Sequence, residues 1–337
     1  MLRVGIIGVG FMGWIHWLAY KKNPQVKVVA ICENDEKKLS GDWTAIKGNF
    51  GPPGEQVDLS DVATYSDAGE FFQHDLDLVD ICLPPSLHCP IAVNAFDNQR
   101  HVFCEKPMAL QLAECDEMLA AASSANRHLL IGHVLPFFPE YQFARETIAS
   151  GKYGKLLGGQ FKRVISDPTW VPNFYDPQSV GGPLLDLHVH DAHFIRAMFG
   201  MPNGVSSVGR RRGAVVEFCT TNYRFDSDVS VSSTMGVINQ QGRPFTHGFE
   251  MHLENATLQF EFAACADNDD LMSLKVFHAD GSVERPDLGD GDPVNAFIAE
   301  INEVVDCLQN DRRSSLLDGQ LARDAIEICQ MQDKAIV

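Results

Sequence analysis

The feature that most constrains this chain is a glycine triplet, Gly8-x-Gly10-x-x-Gly13, set directly after the apolar run Val4-Gly5-Ile6-Ile7. A helix-like stretch, 14–22, follows and is stopped by Asn23-Pro24. In such a strand–turn–helix unit each glycine has a separate job. Gly8 permits a tight turn, Gly10 lets a pyrophosphate approach the backbone, and Gly13 lets helix and strand pack closely. The phosphates then rest on the helix N-terminus, where N–H groups and the helix dipole favour negative charge. Gly8, Gly10 and Gly13, with the intervening Phe11 and Met12, are therefore expected to bind a dinucleotide. Glu33 ends the second apolar run, twenty residues after Gly13. A carboxylate there accepts ribose hydroxyls and repels a 2′-phosphate, which favours NAD over NADP. Lys37 and Lys38 lie close enough in sequence to reach a phosphate, but read as solvated helix charges.

Up to about residue 130, strand and helix signals alternate. Strand-like runs at 4–7, 26–32, 76–83, 101–104 and 129–132 are separated by helix-like runs at 14–22, 87–98 and 111–125. That alternation implies βαβ units and a parallel sheet. Residues 41–61, with Gly-Pro-Pro-Gly at 51–54, break the rhythm and read as a surface insertion. After about residue 150, strand-like runs follow one another with few helices between, from 156–165 to 272–277. Two helices with apolar residues at helical spacing close the chain, around 294–308 and 321–329. The expected architecture is α/β: a doubly wound parallel sheet of the Rossmann type over 1–132, then an α+β domain over 133–337 with a large, mainly antiparallel open sheet for substrate binding and oligomerisation. The boundary falls between Gly132 and Gly154.

Charge removes whole classes of partner. Of 337 residues, 45 are acidic and 27 basic, a formal net charge of −18. So acidic a surface repels nucleic-acid backbones and anionic lipid. The longest run without Asp, Glu, Lys or Arg, 4–20, holds four glycines and falls short of the roughly 20 apolar residues of a spanning helix. That run carries neither a twin arginine nor a clear small-x-small cleavage site. The nine cysteines form no C-x-x-C pair, which reads as buried free thiols in a reducing compartment. A soluble cytoplasmic protein is expected, with no nucleic-acid or membrane partner.

Glu105-Lys106-Pro107 follows the fourth strand-like run directly. In an open parallel sheet ligands bind beyond the carboxyl ends of the strands, so Lys106 is placed to aim into a cleft. Pro107 stiffens the turn. A surface lysine in a loop is the plainer reading of the spacing alone. The ordered set is more specific. Gly8-x-Gly10-x-x-Gly13, Leu83-Pro84-Pro85-x-x-His88, His101-Val102-x-Cys104-Glu105-Lys106-Pro107 and Gly181-Gly182-Pro183-Leu184-Leu185-Asp186-Leu187-His188-Val189-His190-Asp191 together resemble the glucose–fructose oxidoreductase, inositol dehydrogenase and rhizopine-catabolism (Gfo/Idh/MocA) family. The likeness runs through nearly the whole chain.

The resemblance implies an NAD(P)-dependent dehydrogenase or reductase acting on the secondary alcohol or ketone of a sugar, inositol or related polyol. It implies Lys106, Asp186 and His190 as the catalytic group. It places Leu83, Pro84, Pro85, His88, Glu105 and Lys106 beside the cofactor. A homodimer or homotetramer through the C-terminal sheet is also implied. The residue chemistry agrees. A histidine is a suitable base near neutral pH, and an ammonium stabilises developing alkoxide. His190 is assigned as acid/base, Lys106 as electrostatic stabiliser and relay, and Asp186 as orienter and substrate ligand. On a helix, Asp186 and His190 share a face.

His188 stands where many relatives have glycine, and His193 where a second aspartate is frequent. Pro136 stands where relatives carry a polar residue. Substrate contacts are expected from Lys106, His133, Trp170, Asp186, His190 and His193. His193 reads equally as a packed side chain, and Trp170 as a docked ring. His188 points away from the 186/190 stripe, and no metal is expected. Two alternatives remain: an NAD-dependent glycosidase of the same fold, and a non-catalytic dinucleotide-binding sensor, which would not need Lys106 or His190.

Overall fold

The computed structural model describes residues 1–171, 173–289 and 291–336. The chain divides into two compact units, Met1–Phe138 with Gly291–Arg323, and Pro139–Asp290 with Asp324–Val337.

The first unit is built on six strands, β1 (Leu2–Ile7), β2 (Val26–Cys32), β3 (Ala63–Tyr65), β4 (Leu78–Ile81), β5 (His101–Glu105) and β6 (Leu129–Gly132). They run parallel in the order β3-β2-β1-β4-β5-β6. This is the doubly wound arrangement expected from the sequence. Strand order reverses between β1 and β4, and such a switch point opens a crevice at the carboxyl ends of both strands. The interleaved helices are α1 (Phe11–Tyr20), α2 (Glu36–Leu39), α3 (Ala68–Phe72), α4 (His88–Asp97) and α5 (Leu112–Ala125). Strands buried on both faces need continuous apolar runs, and β4 reads Leu78-Val79-Asp80-Ile81 with all four residues buried. Asp80 is the exception to the pattern.

The segment 41–61 is not a simple surface insertion. Trp43, Ile46 and Val57 are buried in the core of the first unit. The Trp43 ring meets Trp14 and Trp17 edge-on at centroid distances of 5.8 and 5.2 Å, and the Trp14 indole donates to the Pro52 carbonyl. The helix Pro293–Gln309 also belongs here, although a division at 132/133 assigns it to the second domain. Its apolar stripe, Phe297, Ile301, Val304 and Val305, is buried with Trp14, Ile15 and Trp17 of α1.

The second unit starts with α6 (Pro139–Ser150), then β7 (Leu156–Ser166), α7 (Val189–Phe199), β8 (Gly204–Arg212), β9 (Val215–Arg224), β10 (Ser230–Ile238), β11 (Phe245–Leu253), β12 (Ala256–Ala264), β13 (Asp270–His278) and β14 (Val283–Glu284). The helix of the first unit, Pro293–Gln309, is α8, and α9 (Gly319–Ala335) ends the chain. The eight strands form one sheet in the order β14-β13-β12-β11-β7-β10-β9-β8. Only β7 and β10 pair in parallel; the other pairs are antiparallel. This is the large open sheet the sequence pattern implies. Among the described residues no helix is long and apolar enough to cross a membrane.

Candidate active site

The glycine-rich turn lies at the switch point. Gly8 has a φ of +93°, and a Cβ there would meet the Cys82 carbonyl at 2.6 Å. A Cβ on Gly13 would stand 2.3 Å from the Gly8 carbonyl. Gly8 and Gly13 are therefore required by the protein's own packing. Gly10 differs: a Cβ there meets nothing within 4 Å. Its missing side chain leaves open space at the start of α1, where no side chain caps the helix. Open space beside uncapped helix N–H groups fits a pyrophosphate. Phe11 begins α1 in part-exposed positions with Met12, its ring edge-on to Phe50 at 4.8 Å.

Glu33 follows β2. Its Oε2 accepts the Val9 N–H at 2.8 Å and its Oε1 accepts the N–H groups of Asn34 and Asp35. Lys38 Nζ is 3.5 Å from Oε2. The carboxylate expected to face the ribose thus also braces the glycine turn.

Two further turns flank the crevice. The turn after β4 contains Leu83, Pro84 and Pro85; the turn after β5 contains Glu105, Lys106 and Pro107. His88, fully buried, joins them: Nε2 lies 2.8 Å from the Leu83 carbonyl and Nδ1 2.9 Å from the Pro107 carbonyl. Both ring nitrogens face backbone, so His88 holds the turns together rather than offering a nitrogen to a ligand. The Lys106–Pro107 peptide is cis. Glu105 Oε2 accepts the Lys106 N–H at 3.0 Å, and the Lys106 side chain is part-exposed. His133 directly follows β6 and is fully buried in the first unit.

In the second unit, Gly181 and Gly182 both have left-handed φ values, +78° and +72°. They turn the chain into Pro183 and a π-helical turn, Leu184–His188, continuous with α7. A regular α-helix through Asp186 is the expectation from the four-residue spacing; the structure has the wider i→i+5 turn instead. Such turns are rare and often mark functional positions. Asp186 and His190 are part-exposed, whereas His188, Asp191 and His193 are buried. The buried side explains how the exposed side is held. His188 Nε2 is 3.0 Å from the Tyr223 hydroxyl. Asp191 accepts two hydrogen bonds from Arg163, at 2.7 and 3.1 Å. Burial opposes the Asp191 charge, but Arg163 and His188 outweigh it and hold the carboxyl down at about 2. His188 points into this network, as its offset from the 186/190 stripe suggested.

Trp170 is 59% exposed, not docked. The neighbouring Tyr175 is committed elsewhere: its hydroxyl donates to Asp167, and the Arg212 guanidinium lies 4.1 Å above its ring.

Comparison with known proteins settles the family. Residues 2–133 match the oxidoreductase family with an NAD-binding Rossmann fold, and residues 141–259 match the GFO/IDH/MocA C-terminal domain. The chain belongs to the Gfo/Idh/MocA oxidoreductase family. The inositol 2-dehydrogenase of Rhizobium meliloti is 25% identical over 308 residues, 90% of this chain and 86% of that protein. The 2,7-anhydro-N-acetylneuraminate hydratase of Escherichia coli is 25% identical over 213 residues, 62% and 53% of the two chains. In fold, levoglucosan dehydrogenase, solved with NADH and levoglucosan, superposes with a TM-score of 0.78 at 21% identity, over 99% of this chain and 96% of that one.

This Gfo/Idh/MocA chain carries one feature that reading by motif missed. Beneath the switch point lie His16, Asp80, Cys82, Glu105 and Glu300, with three of the five, His16, Asp80 and Glu300, fully buried. Asp80 inside an apolar strand and His16 in a helix otherwise free of charge were the available signals.

Proposed function

We propose that the protein is an NAD-dependent dehydrogenase or reductase acting on the secondary alcohol or ketone of a sugar, inositol or related polyol. Lys106, Asp186 and His190 form its catalytic group. The observation that carries this reading is the differential exposure of the family motifs. Lys106, Asp186 and His190 are part-exposed, while their motif neighbours Glu105, Pro107, His188 and Asp191 are buried. Each motif is thus an anchored segment, one presenting Lys106 and the other presenting Asp186 and His190.

Gly8, Gly10, Phe11, Met12, Gly13 and Glu33 would hold the dinucleotide, with Leu83, Pro84, Pro85 and the Glu105-Lys106 turn beside it. The nicotinamide, when bound, supplies the two-electron acceptor or donor for the carbinol carbon. His190 takes the hydroxyl proton during oxidation and returns it during reduction. The Lys106 ammonium stabilises the developing alkoxide, and Asp186 orients substrate. Trp170, exposed in the loop before the 181–191 motif, supplies an aromatic face for a sugar ring. His133 and His193, expected from the sequence to touch substrate, are both fully buried and are left out of the substrate contacts.

The relative named as a hydratase supports a second reading, in which redox at one sugar carbon enables an elimination at another with no net NADH. The free nine thiols and acidic surface support a cytoplasmic location, and the open sheet of the second unit supports a homodimer or homotetramer.

The test is NADH formation at 340 nm with NAD and a panel of inositols, hexoses, pentoses and sugar acids. Turnover abolished in Lys106→Ala and in His190→Ala supports the dehydrogenase. Full turnover in either variant removes that residue from the catalytic group. Leaving-group release from sugar substrates without net NADH selects the second reading.

A further inference from the structure

The five-residue cluster beneath the switch point gathers groups from every element around it. His16 lies on α1, Asp80 and Cys82 at the end of β4, Glu105 at the end of β5, and Glu300 on α8. His16 Nδ1 is 2.9 Å from Asp80 Oδ2, and Nε2 is 3.1 Å from Glu105 Oε1. Phe103 stacks on the imidazole at 5.2 Å, and the Phe297 ring of α8 lies tilted to it at 6.3 Å. Tyr20, one turn further along α1, is also buried there.

A neutral imidazole has one donor and one acceptor. Here both ring nitrogens face carboxylates, which as anions only accept. A neutral ring would set a lone pair against one of those oxygens at hydrogen-bond distance. The imidazolium satisfies both contacts. Burial opposes that charge, but the adjacent Asp80 carboxylate overcomes it and lifts His16 well above its ordinary value. Its neighbours complete the balance. Burial pushes the Glu300 carboxyl well above the usual carboxylate range, and both its oxygens lack a hydrogen-bond partner. The Cys82 thiol is pushed up to about 12, again by burial first. One cation is left between two carboxylates.

A metal could compete for this place, because ligand atoms of His16, Asp80 and Cys82 lie within 4.8 Å of one another. The spacing argues against it. Two ligands on one tetrahedral zinc, at bonds of about 2.05 Å, stand about 3.3 Å apart. The His16–Asp80 contact of 2.9 Å is a hydrogen bond.

The consequence lies at the surface of the crevice. Glu105 Oε1 is gripped by His16, while its Oε2 accepts the N–H of Lys106. Gly132 of β6 leaves room for this: a Cβ there would crowd Glu105 Oε1 at 3.1 Å. We propose that His16, clamped between Asp80 and Glu105, is the positioning residue that fixes the Glu105-Lys106-Pro107 turn and so sets where the Lys106 ammonium stands. The proposal rests on the reading of Lys106 as a catalytic residue, but its physical content can be tested without turnover.

The first measurement uses the wild-type chain with 15N-histidine. His16 should show two protonated ring nitrogens from pH 6 to pH 8.5; a neutral tautomer in that range overturns the proposal. The second is reductive methylation of Lys106 with formaldehyde and cyanoborohydride, read by peptide mass spectrometry. In His16→Leu, with NADH affinity within threefold of wild type, Lys106 should label at least threefold faster while other lysines are unchanged. Unaltered labelling overturns the proposal. Glu105→Gln should give the same change if His16→Leu does not fold. With a substrate in hand, His16→Leu should lower kcat at least tenfold, and His16→Gln, which keeps one donor, should recover part of it. In a Lys106→Ala background, His16→Leu should lower the residual rate less than twofold; a full tenfold loss there shows that it acts elsewhere. Full turnover in Lys106→Ala removes Lys106 from catalysis, and the labelling result still decides whether His16 positions it.

Discussion

The backbone N–H of Val9 donates to Glu33 Oε2 at 2.8 Å, tying the residue after β2 to the glycine-rich turn between β1 and α1. The carboxylate proposed to face the ribose is therefore also a brace for the glycine-rich turn. Lys38 sits 3.5 Å from the same oxygen. Replacing Glu33 by serine removes the repulsion toward a 2′-phosphate and releases Lys38 to pair with one. The ratio of NAD to NADP affinity should fall at least tenfold, measured by cofactor fluorescence titration. A ratio unchanged in Glu33→Ser would show that Glu33 acts only as the brace.

The glycines make a sharper pair of expectations. A Cβ on Gly10 enters empty space, whereas one on Gly13 meets the Gly8 carbonyl at 2.3 Å. Gly10→Ala should leave stability within about 1 kcal/mol, the range for a changed helix N-cap, yet weaken dinucleotide binding at least tenfold. Gly13→Ala should instead destabilise the first unit, because carbonyl and helix must separate. Urea unfolding and NADH titration of both variants check this. Equal stability losses would mean the two glycines are not distinguished by packing.

Trp43 tests whether the 41–61 segment belongs to the core. It is 1% exposed and edge-on to two other indoles. Trp43→Ala should cost about 3–5 kcal/mol, the usual range for a buried large aromatic. A loss below about 1 kcal/mol in urea unfolding would make the segment a surface strap.

What the sequence disclosed was whatever is local. The glycine triplet, the apolar runs of 26–32 and 129–132, and the order of the four motifs are short-range patterns, and they led to the correct fold. The three-residue β3 was missed because Ala63–Tyr65 carries too little apolar alternation to signal a strand and owes its place to pairing with β2. Helix Pro139–Ser150 was missed at the domain boundary, where mean hydropathy is low and its buried face is narrow. The allegiance of α8 was unreadable because a helical stripe shows that a face is buried, not against what. The His16 cluster is the extreme case. Its partners lie 64 and 89 positions away, and only folding brings them together. Exposure made the same distinction among the histidines: His88, His188 and His193 are buried, and His190 is not.

The acid limit of stability should be set in part by His247. Burial pushes this imidazole down to about 3, with Arg163 adding to the effect. Its Nδ1 accepts the Tyr141 hydroxyl at 3.2 Å, and the two rings stack at 5.9 Å. The folded chain keeps His247 neutral where the unfolded chain, with a value near 6.5, takes up a proton. The stabilisation is thus complete above pH 6.5 and is lost as pH falls toward 3. Between pH 6.5 and pH 5 the loss is on the order of 2 kcal/mol, at 1.36 kcal/mol for each unit. His16 works in the opposite sense, since its raised value contributes below pH 6.5 and is lost only as pH rises through its folded value. His247→Phe keeps the aromatic packing but leaves the Tyr141 hydroxyl without its acceptor, so the variant starts less stable at pH 7. Its deficit should then shrink by on the order of 2 kcal/mol at pH 5, because the variant has no proton to take up there. Urea unfolding of both chains at pH 7 and pH 5 measures that change, and a deficit that stays constant would mean that His247 takes up its proton in the fold as it does in the unfolded chain.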